Sequence, residues 1–295
     1  YSVNLDYVSK IKFGLKRYKT IATDKTTSRV LDGSYNSIYK GRSMNFDELR
    51  EYVPGDDIKD IDWKATSRSQ KVLIRSYIAE KKHNIMLVMD ANHRMLGHTK
   101  TGEDKGEVAL MAGGTLGYMV TDNGDYVSGL YYHDENMERS PFKTGFLNLE
   151  FLLEGYAKCL TQTNKSDLNG ILNYIMHNIK RRMIVVMVTD TEGVCNLKEN
   201  LLGQITMVHD CLLIKVSDTD IFGKKVYNVE NQTYLPPFLA QSKALQKKQK
   251  KVMEDLEKQA EKKLNRYGIP YVNVDTATRV DSKIAELLEK NKSVN

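Results

Sequence analysis

The chain lacks most of what marks a membrane or secreted protein. None of its apolar runs approaches the ~20 residues needed to cross a bilayer, and residues 1–20 lack the apolar core of a signal peptide. Cysteine is scarce: Cys159, Cys195 and Cys211 are odd in number and far apart. That excludes a disulfide framework, fits no zinc spacing, and suits small apolar fillers in a reducing compartment. The expectation is a cytoplasmic chain. No Gly-x-x-x-x-Gly-Lys-Ser/Thr run is present, which argues against a P-loop ATPase. No Ser/His/Asp or Cys/His set announces nucleophilic catalysis, and His93 and His98 have no third zinc ligand in register.

Charge is plentiful but nearly balanced. The net +6 lies in residues 1–82, which carry 17 Lys and Arg against 11 Asp and Glu. The remainder sums to zero, so a solvated surface is the simpler reading and a nucleic-acid partner the weaker one. Leu235–Tyr267 has the pattern of a long amphipathic helix. Its narrow apolar stripe is Leu245, Val252, Leu256, Ala260 and Leu264, and its opposite face is rich in lysine interleaved with acids.

The pattern divides the chain in three. Residues 1–30 read as a short helix, on the weak spacing of Val8, Ile11 and Leu15, followed by a linker. Residues 31–82 read as a β-rich extension, with a hairpin dipeptide at Asp32-Gly33 and an alternating strand at Lys71–Ile78. Residues 83–295 alternate short apolar runs with helical patterns. The runs are Ile85–Met89, Tyr126–Tyr132, Met183–Thr189, Met207–Val216 and Ile269–Val274, with an added edge strand near Glu138–Phe142. The helical stretches are Glu103–Thr121, Leu147–Leu160, Asp167–Lys180, Leu197–Gln204, Leu235–Tyr267 and Ala277–Lys290. This grammar predicts an α/β domain with a doubly wound, mostly parallel sheet. Ligands of such sheets bind beyond the carboxyl ends of the strands. Asp90 and Asp190 each close an apolar strand there, with the polar Thr163–Asp167 loop nearby. Such aspartates either gather a hard cation or cap the helices that follow.

The densest signal is Gly41–Arg68. It holds the single tryptophan (Trp63), a Pro54-Gly55 pair suited to a type II turn, four aspartates (Asp56, Asp57, Asp60, Asp62) and the arginines Arg42, Arg50 and Arg68. Asp56 and Asp57 are expected to accept loop amides. Asp57 or Asp62 is expected to pair with Arg50 or Arg68, and Trp63 to clamp the element onto the domain. In order, Gly41, Phe46, Glu48, Arg50, Tyr52, Pro54, Gly55, Asp56, Asp57, Asp62, Trp63 and Arg68 resemble the signature of the bacterial domain of unknown function 58 family (DUF58). Ile85–Asp90, the Thr163–Leu168 loop and Val188–Asp190 resemble the von Willebrand factor type A fold.

The resemblance implies a cytoplasmic, non-catalytic protein-binding adaptor or co-chaperone of a MoxR-type AAA+ ATPase. It also implies a strand-end cation site for Mg²⁺ or a similar ion, with Asp90, Asn92, Ser166 and Asp190 as its candidate ligands. The family pattern Asp-x-Ser-x-Ser is broken here. Asn92 replaces the first serine, and Arg94 replaces the second with a permanent cation that could pair with Asp90 or Asp190. Arg94, Thr163, Asp167 and Thr191 are the candidate partner contacts. Two other readings stay open: a metal-dependent phosphoester hydrolase using Asp90 and Asp190, and a nucleic-acid binder using the basic N-terminus and Lys243–Lys263.

Overall fold

The computed structural model describes residues 6–17, 35, 46–77, 83–218, 227–228, 233–234 and 243–294. Asp32, Gly33 and Gly41 lie outside them. Ten strands and nine helices are described in chain order: α1 (Asp6–Arg17), β1 (Phe46–Glu51), α2 (Trp63–Ser69), β2 (Leu73–Tyr77), β3 (Asn84–Met89), α3 (Lys105–Asp122), β4 (Tyr126–His133), β5 (Asn136–Arg139), α4 (Phe146–Cys159), α5 (Leu168–Asn178), β6 (Ile184–Asp190), α6 (Thr191–Cys195), α7 (Glu199–Val208), β7 (Asp210–Val216), β8 (Tyr227–Asn228), β9 (Thr233–Tyr234), α8 (Lys243–Arg266), β10 (Tyr271–Val274) and α9 (Val280–Val294).

Six strands form one sheet in the order β10-β7-β6-β3-β4-β5. All pairs are parallel except β4 with the edge strand β5. Counted from β3, the order is 3-2-1-4-5-6, the doubly wound arrangement expected from the strand–helix alternation. Successive side chains of β3 point to opposite faces. Ile85, Leu87 and Met89 enter one core, with residues of α1, α3, α4 and α9. Met86 and Val88 enter the other, with residues of α5, α7 and the far end of α8. Burial on both faces explains why these strands read as unbroken apolar runs rather than alternating ones.

Three features differ from expectation: the edge strand β5 spans Asn136–Arg139 rather than Glu138–Phe142, one helix–strand boundary shifts, and α1 is buried. Met207 and Val208 finish α7 instead of starting β7, since the apolar run bridges a helix end and a strand start. The α1 helix is part of the core: Val8, Ile11 and Leu15 are buried. A Cβ built on Gly114 of α3 would stand 2.6 Å from Ile11 Cδ1, so a larger residue there would push the Ile11 side chain out of its seat. The first turn of α1 is held by Glu150, whose buried carboxylate accepts from Tyr7 N (2.9 Å) and Val8 N (2.8 Å).

The signature element is a β1–β2 antiparallel hairpin with α2 packed on it. Asp56 N donates to Val53 O (3.0 Å), and Gly55 has φ +112°, as a type II turn with Pro54 at its second position requires. Arg50 forks onto Asp56 with two 2.7 Å bonds, which hold that carboxyl down at about 2. Asp57 accepts from Lys59 N (3.0 Å), starting a 3-10 turn. Asp62 caps α2 through Lys64 N and Ala65 N, and pairs with Arg75 (3.0 Å) rather than Arg68, which is exposed.

Trp63 does not serve as a clamp, because it is 65% exposed. Capping by Asp62 makes it the first residue of α2, and Thr66 fastens that helix instead. Its hydroxyl accepts from Leu73 N at 2.9 Å.

Candidate functional site: a strand-end acid pair filled by side-chain cations

β3 and β6 are neighbours at the point where the strand order reverses, and their ends deliver Asp90 and Asp190 to one place. Both carboxylates are buried, at 2% and 1% exposure. Local backbone explains how each is aimed. Asp90 Oδ1 accepts from Asn92 N (2.9 Å), and Asp190 Oδ1 accepts from Gly193 N (2.8 Å) at the start of α6. A Cβ on Gly193 would fall 1.9 Å from Thr189 Oγ1, so glycine is required for this approach. Thr189 Oγ1 donates to Asp90 Oδ2 at 2.6 Å, and the buried Tyr156 hydroxyl donates to Asp90 O at 2.6 Å.

Two side-chain cations fill the space between the acids. Arg94 Nη2 donates to Asp90 Oδ2 (3.1 Å) and Arg94 Nε to Asp190 Oδ2 (3.3 Å). Lys105, only 4% exposed, donates to Asp190 Oδ2 (2.7 Å) and pairs with Asp218. Burial would raise Asp190, but Lys105 and Arg94 outweigh it and hold the carboxyl well below the carboxylate range. Burial prevails at Asp90, whose pKa is raised despite Arg94, helped by the nearby Asp190 charge.

The remaining donors do not fit a divalent cation. Asn92 Oδ1 accepts from Arg94 N (3.1 Å), and its Nδ2 donates to Ser166 O (3.0 Å). Ser166 Oγ turns away to Asp134 O. Two of the four candidate ligands thus serve loop geometry, and the other two hold a guanidinium and an ammonium. Among the described residues no group of three His, Cys, Asp or Glu is placed to hold a metal. His93 and His98 face different partners, Asn164 O (3.3 Å) and Asp104 (3.2 Å).

The candidate partner contacts separate. Arg94 keeps 15% side-chain exposure. Thr163 and Asp167 are exposed; Thr163 donates to Asp134 Oδ1 (2.8 Å) and Asp167 caps α5 through Asn169 N (3.0 Å). Thr191 is 1% exposed and donates to Glu257 Oε1 (2.6 Å), so it holds α8 rather than meeting a partner. Asp90, Asn92 and Asp190 likewise lie beneath the surface, which leaves the Arg94 guanidinium and the Asp218 carboxylate as the partly accessible charges of the cluster.

Sequence pattern alone does not single out Lys105, Asp218, Lys215 or Glu257. Lys105 is the single basic residue of a largely apolar, glycine-rich helix, and Lys215 interrupts the apolar strand Leu212–Val216. A buried cation in either setting signals a partner anion, here Asp190 with Asp218 and Glu257 respectively.

Comparison with known proteins places this geometry in a family. Residues 48–221, more than half of the chain, match the family described as "Protein of unknown function DUF58". The uncharacterized proteins Mb1516 of Mycobacterium bovis and Rv1480 of Mycobacterium tuberculosis are each 26% identical over 191 residues. The alignment covers 64% of this chain and 60% of each relative's length. Among solved structures, the conserved hypothetical protein BatB of Bacteroides thetaiotaomicron has a TM-score of 0.46 at 13% identity, over 72% of this chain and 99% of its own. The SpRpn10 VWA domain has a TM-score of 0.30 at 10% identity, over 47% and 77%. At such scores the α/β assignment rests on this chain's own strand order. No helix among the described residues is long and apolar enough to cross a membrane. Matched over residues 48–221, which include both Asp90 and Asp190, the chain belongs to the DUF58 family of proteins of unknown function.

Proposed function

We propose that the chain is a non-catalytic protein-binding adaptor whose receptor is the Arg94 guanidinium, and that it works in the cytoplasm with a MoxR-type AAA+ ATPase. The observation that carries this reading is the division of labour within Arg94. Nε and Nη2 are spent on Asp190 and Asp90, while Nη1 makes no hydrogen bond among the described residues. A guanidinium fixed on two buried acids, with one donor pair left over, suits an incoming carboxylate. Ordering costs little, because the side chain is already held.

The same geometry disfavours the phosphoester-hydrolase reading, since the acids that would bind a catalytic metal already neutralise Arg94 and Lys105. The cytoplasmic assignment draws on three free thiols, two of them buried. The ATPase partner draws on the resemblance of the Gly41–Arg68 element.

The test is binding of the purified chain to the cognate MoxR-type ATPase, with Arg94→Lys beside wild type. Lysine keeps the charge that balances Asp90 and Asp190 but loses the fork. The expected result is at least about a tenfold loss of affinity with little change in Tm. Equal binding by both proteins would refute the receptor.

A further inference from the structure

The charge of α8 is divided along its length. Residues 253–266 hold Glu254, Asp255, Glu257 and Glu261 against Lys258, Lys262, Lys263 and Arg266, which balances. Residues 243–252 hold Lys243, Lys247, Lys248, Lys250 and Lys251 with no acid. Packing follows the same division. Ala260 and Leu264 are the buried residues of the helix, all five lysines of the first half are exposed, and Val252 is 51% exposed.

The fold shows where the basic half stands. α8 leads through Gly268 into β10, which runs parallel to β7, so the helix descends from the carboxyl edge of the sheet to its amino edge. Glu257 fixes its height. That side chain accepts from Thr191, one residue past Asp190, and pairs with the buried Lys215. Residues before Glu257 therefore rise past the carboxyl edge, the edge that also carries Arg94. At 1.5 Å per residue, Lys251 stands about 9 Å and Lys243 about 21 Å above Glu257. Lys243, Lys247, Lys250 and Lys251 share about 100° of the helix circumference.

Helix stability does not explain this placement. The positive end of the helix dipole opposes lysine in the first turns, by about 0.3–1 kcal/mol each when exposed. The pairs 243/247, 247/251, 247/250 and 248/251 repel at i,i+4 and i,i+3 spacing. A solvated face needs no such concentration of one sign, whereas an electrostatic docking arm does.

We infer that residues 243–252 form a basic arm which docks an acidic protein surface, the same surface whose carboxylate meets Arg94. The inference deepens the protein-binding reading and rests on it, because the five lysines and the Arg94 guanidinium carry the same sign and lie on the same edge of the sheet. Residues 243–252 have no aromatic residue and only Leu245, half-buried, and Val252 as large aliphatic ones, too little to seat in a lipid interface. It has no arginine to read base edges and no ring on which bases could stack.

The test uses fluorescence anisotropy with a labelled polyglutamate peptide, a DNA duplex of equal charge, and vesicles containing phosphatidylserine. The proteins are wild type, a variant with all five lysines changed to glutamine, and Arg94→Lys. Glutamine is a good helix former, so circular dichroism should be unchanged. The expected result is polyglutamate binding that weakens by about tenfold between low and physiological salt, and by about tenfold in the five-lysine variant. Unchanged peptide binding by that variant overturns the arm. So does lysine-dependent binding of DNA or vesicles that is tighter than peptide binding. If Arg94→Lys binds peptide normally while the five-lysine variant does not, the arm stands and the Arg94 receptor falls. The opposite pattern leaves the receptor and removes the arm.

Discussion

Replacing Arg94 with glutamine should destabilise the protein in a pH-dependent way, and the structure sets the size. Lys105 and Gly193 N still serve Asp190, so Asp90 is the acid left without a cation. Removing one partner of a buried ion pair costs about 3–5 kcal/mol. Asp90 can limit that loss by taking up a proton. Protonating a carboxyl of unfolded pKa about 3.9 costs about 4 kcal/mol at pH 7 and about 1.5 kcal/mol at pH 5, at 1.36 kcal/mol per unit. The loss should therefore approach about 4 kcal/mol at neutral pH and fall to about 1.5 at pH 5. The sign follows from linkage: Asp90 already has a raised folded pKa, and losing Arg94 raises it further. A carboxyl raised in the folded state favours folding at low pH and loses that contribution as pH climbs through the folded value. Urea unfolding of both proteins at pH 5 and pH 7 measures the difference. An equal loss at the two pH values, or a loss under about 1 kcal/mol at pH 7, would refute the buried-pair reasoning.

Two further outcomes follow from burial. Trp63 is the single tryptophan and is 65% exposed; its native emission should resemble a water-exposed indole and be quenched readily by acrylamide, and Trp63→Ala should change stability by less than about 0.5 kcal/mol. A blue-shifted, protected emission would restore the clamp. Glu257→Gln removes the anion facing Lys215, which is 1% exposed, while leaving Thr191 an acceptor. It should cost roughly 3 kcal/mol and speed amide exchange in α8; unchanged exchange would show that the pair does not hold the helix.

The parts of the fold that could be read from the chain are those whose signal is local. The apolar run ending on Asp90 needed only its own composition, as did the 3.6-residue patterns of α3 to α5; the edge strand, expected near Glu138–Phe142, begins earlier, at Asn136. The two-sided core explains why periodicity failed within strands and succeeded between them. Arg94 could be anticipated as a substitute cation because its candidate partner Asp90 lies four residues away. Lys105 could not, since its anions Asp190 and Asp218 lie 85 and 113 residues distant and are joined to it only by the parallel sheet. The α1 helix was underestimated for the same reason. Three apolar residues among lysines look weak until Gly114 and Glu150 supply a seat. A lone aromatic in a dense motif resembles a core anchor, and only the cap by Asp62 reveals that Trp63 begins a surface helix.

The central claim is that side-chain cations hold the place between Asp90 and Asp190. A crystal structure grown with Mn²⁺ tests it most directly, by the anomalous signal of the metal. The account predicts no anomalous peak between the two carboxylates and Arg94 Nη2 still on Asp90. A manganese ion bound by both aspartates, with Arg94 swung into solvent, would contradict it.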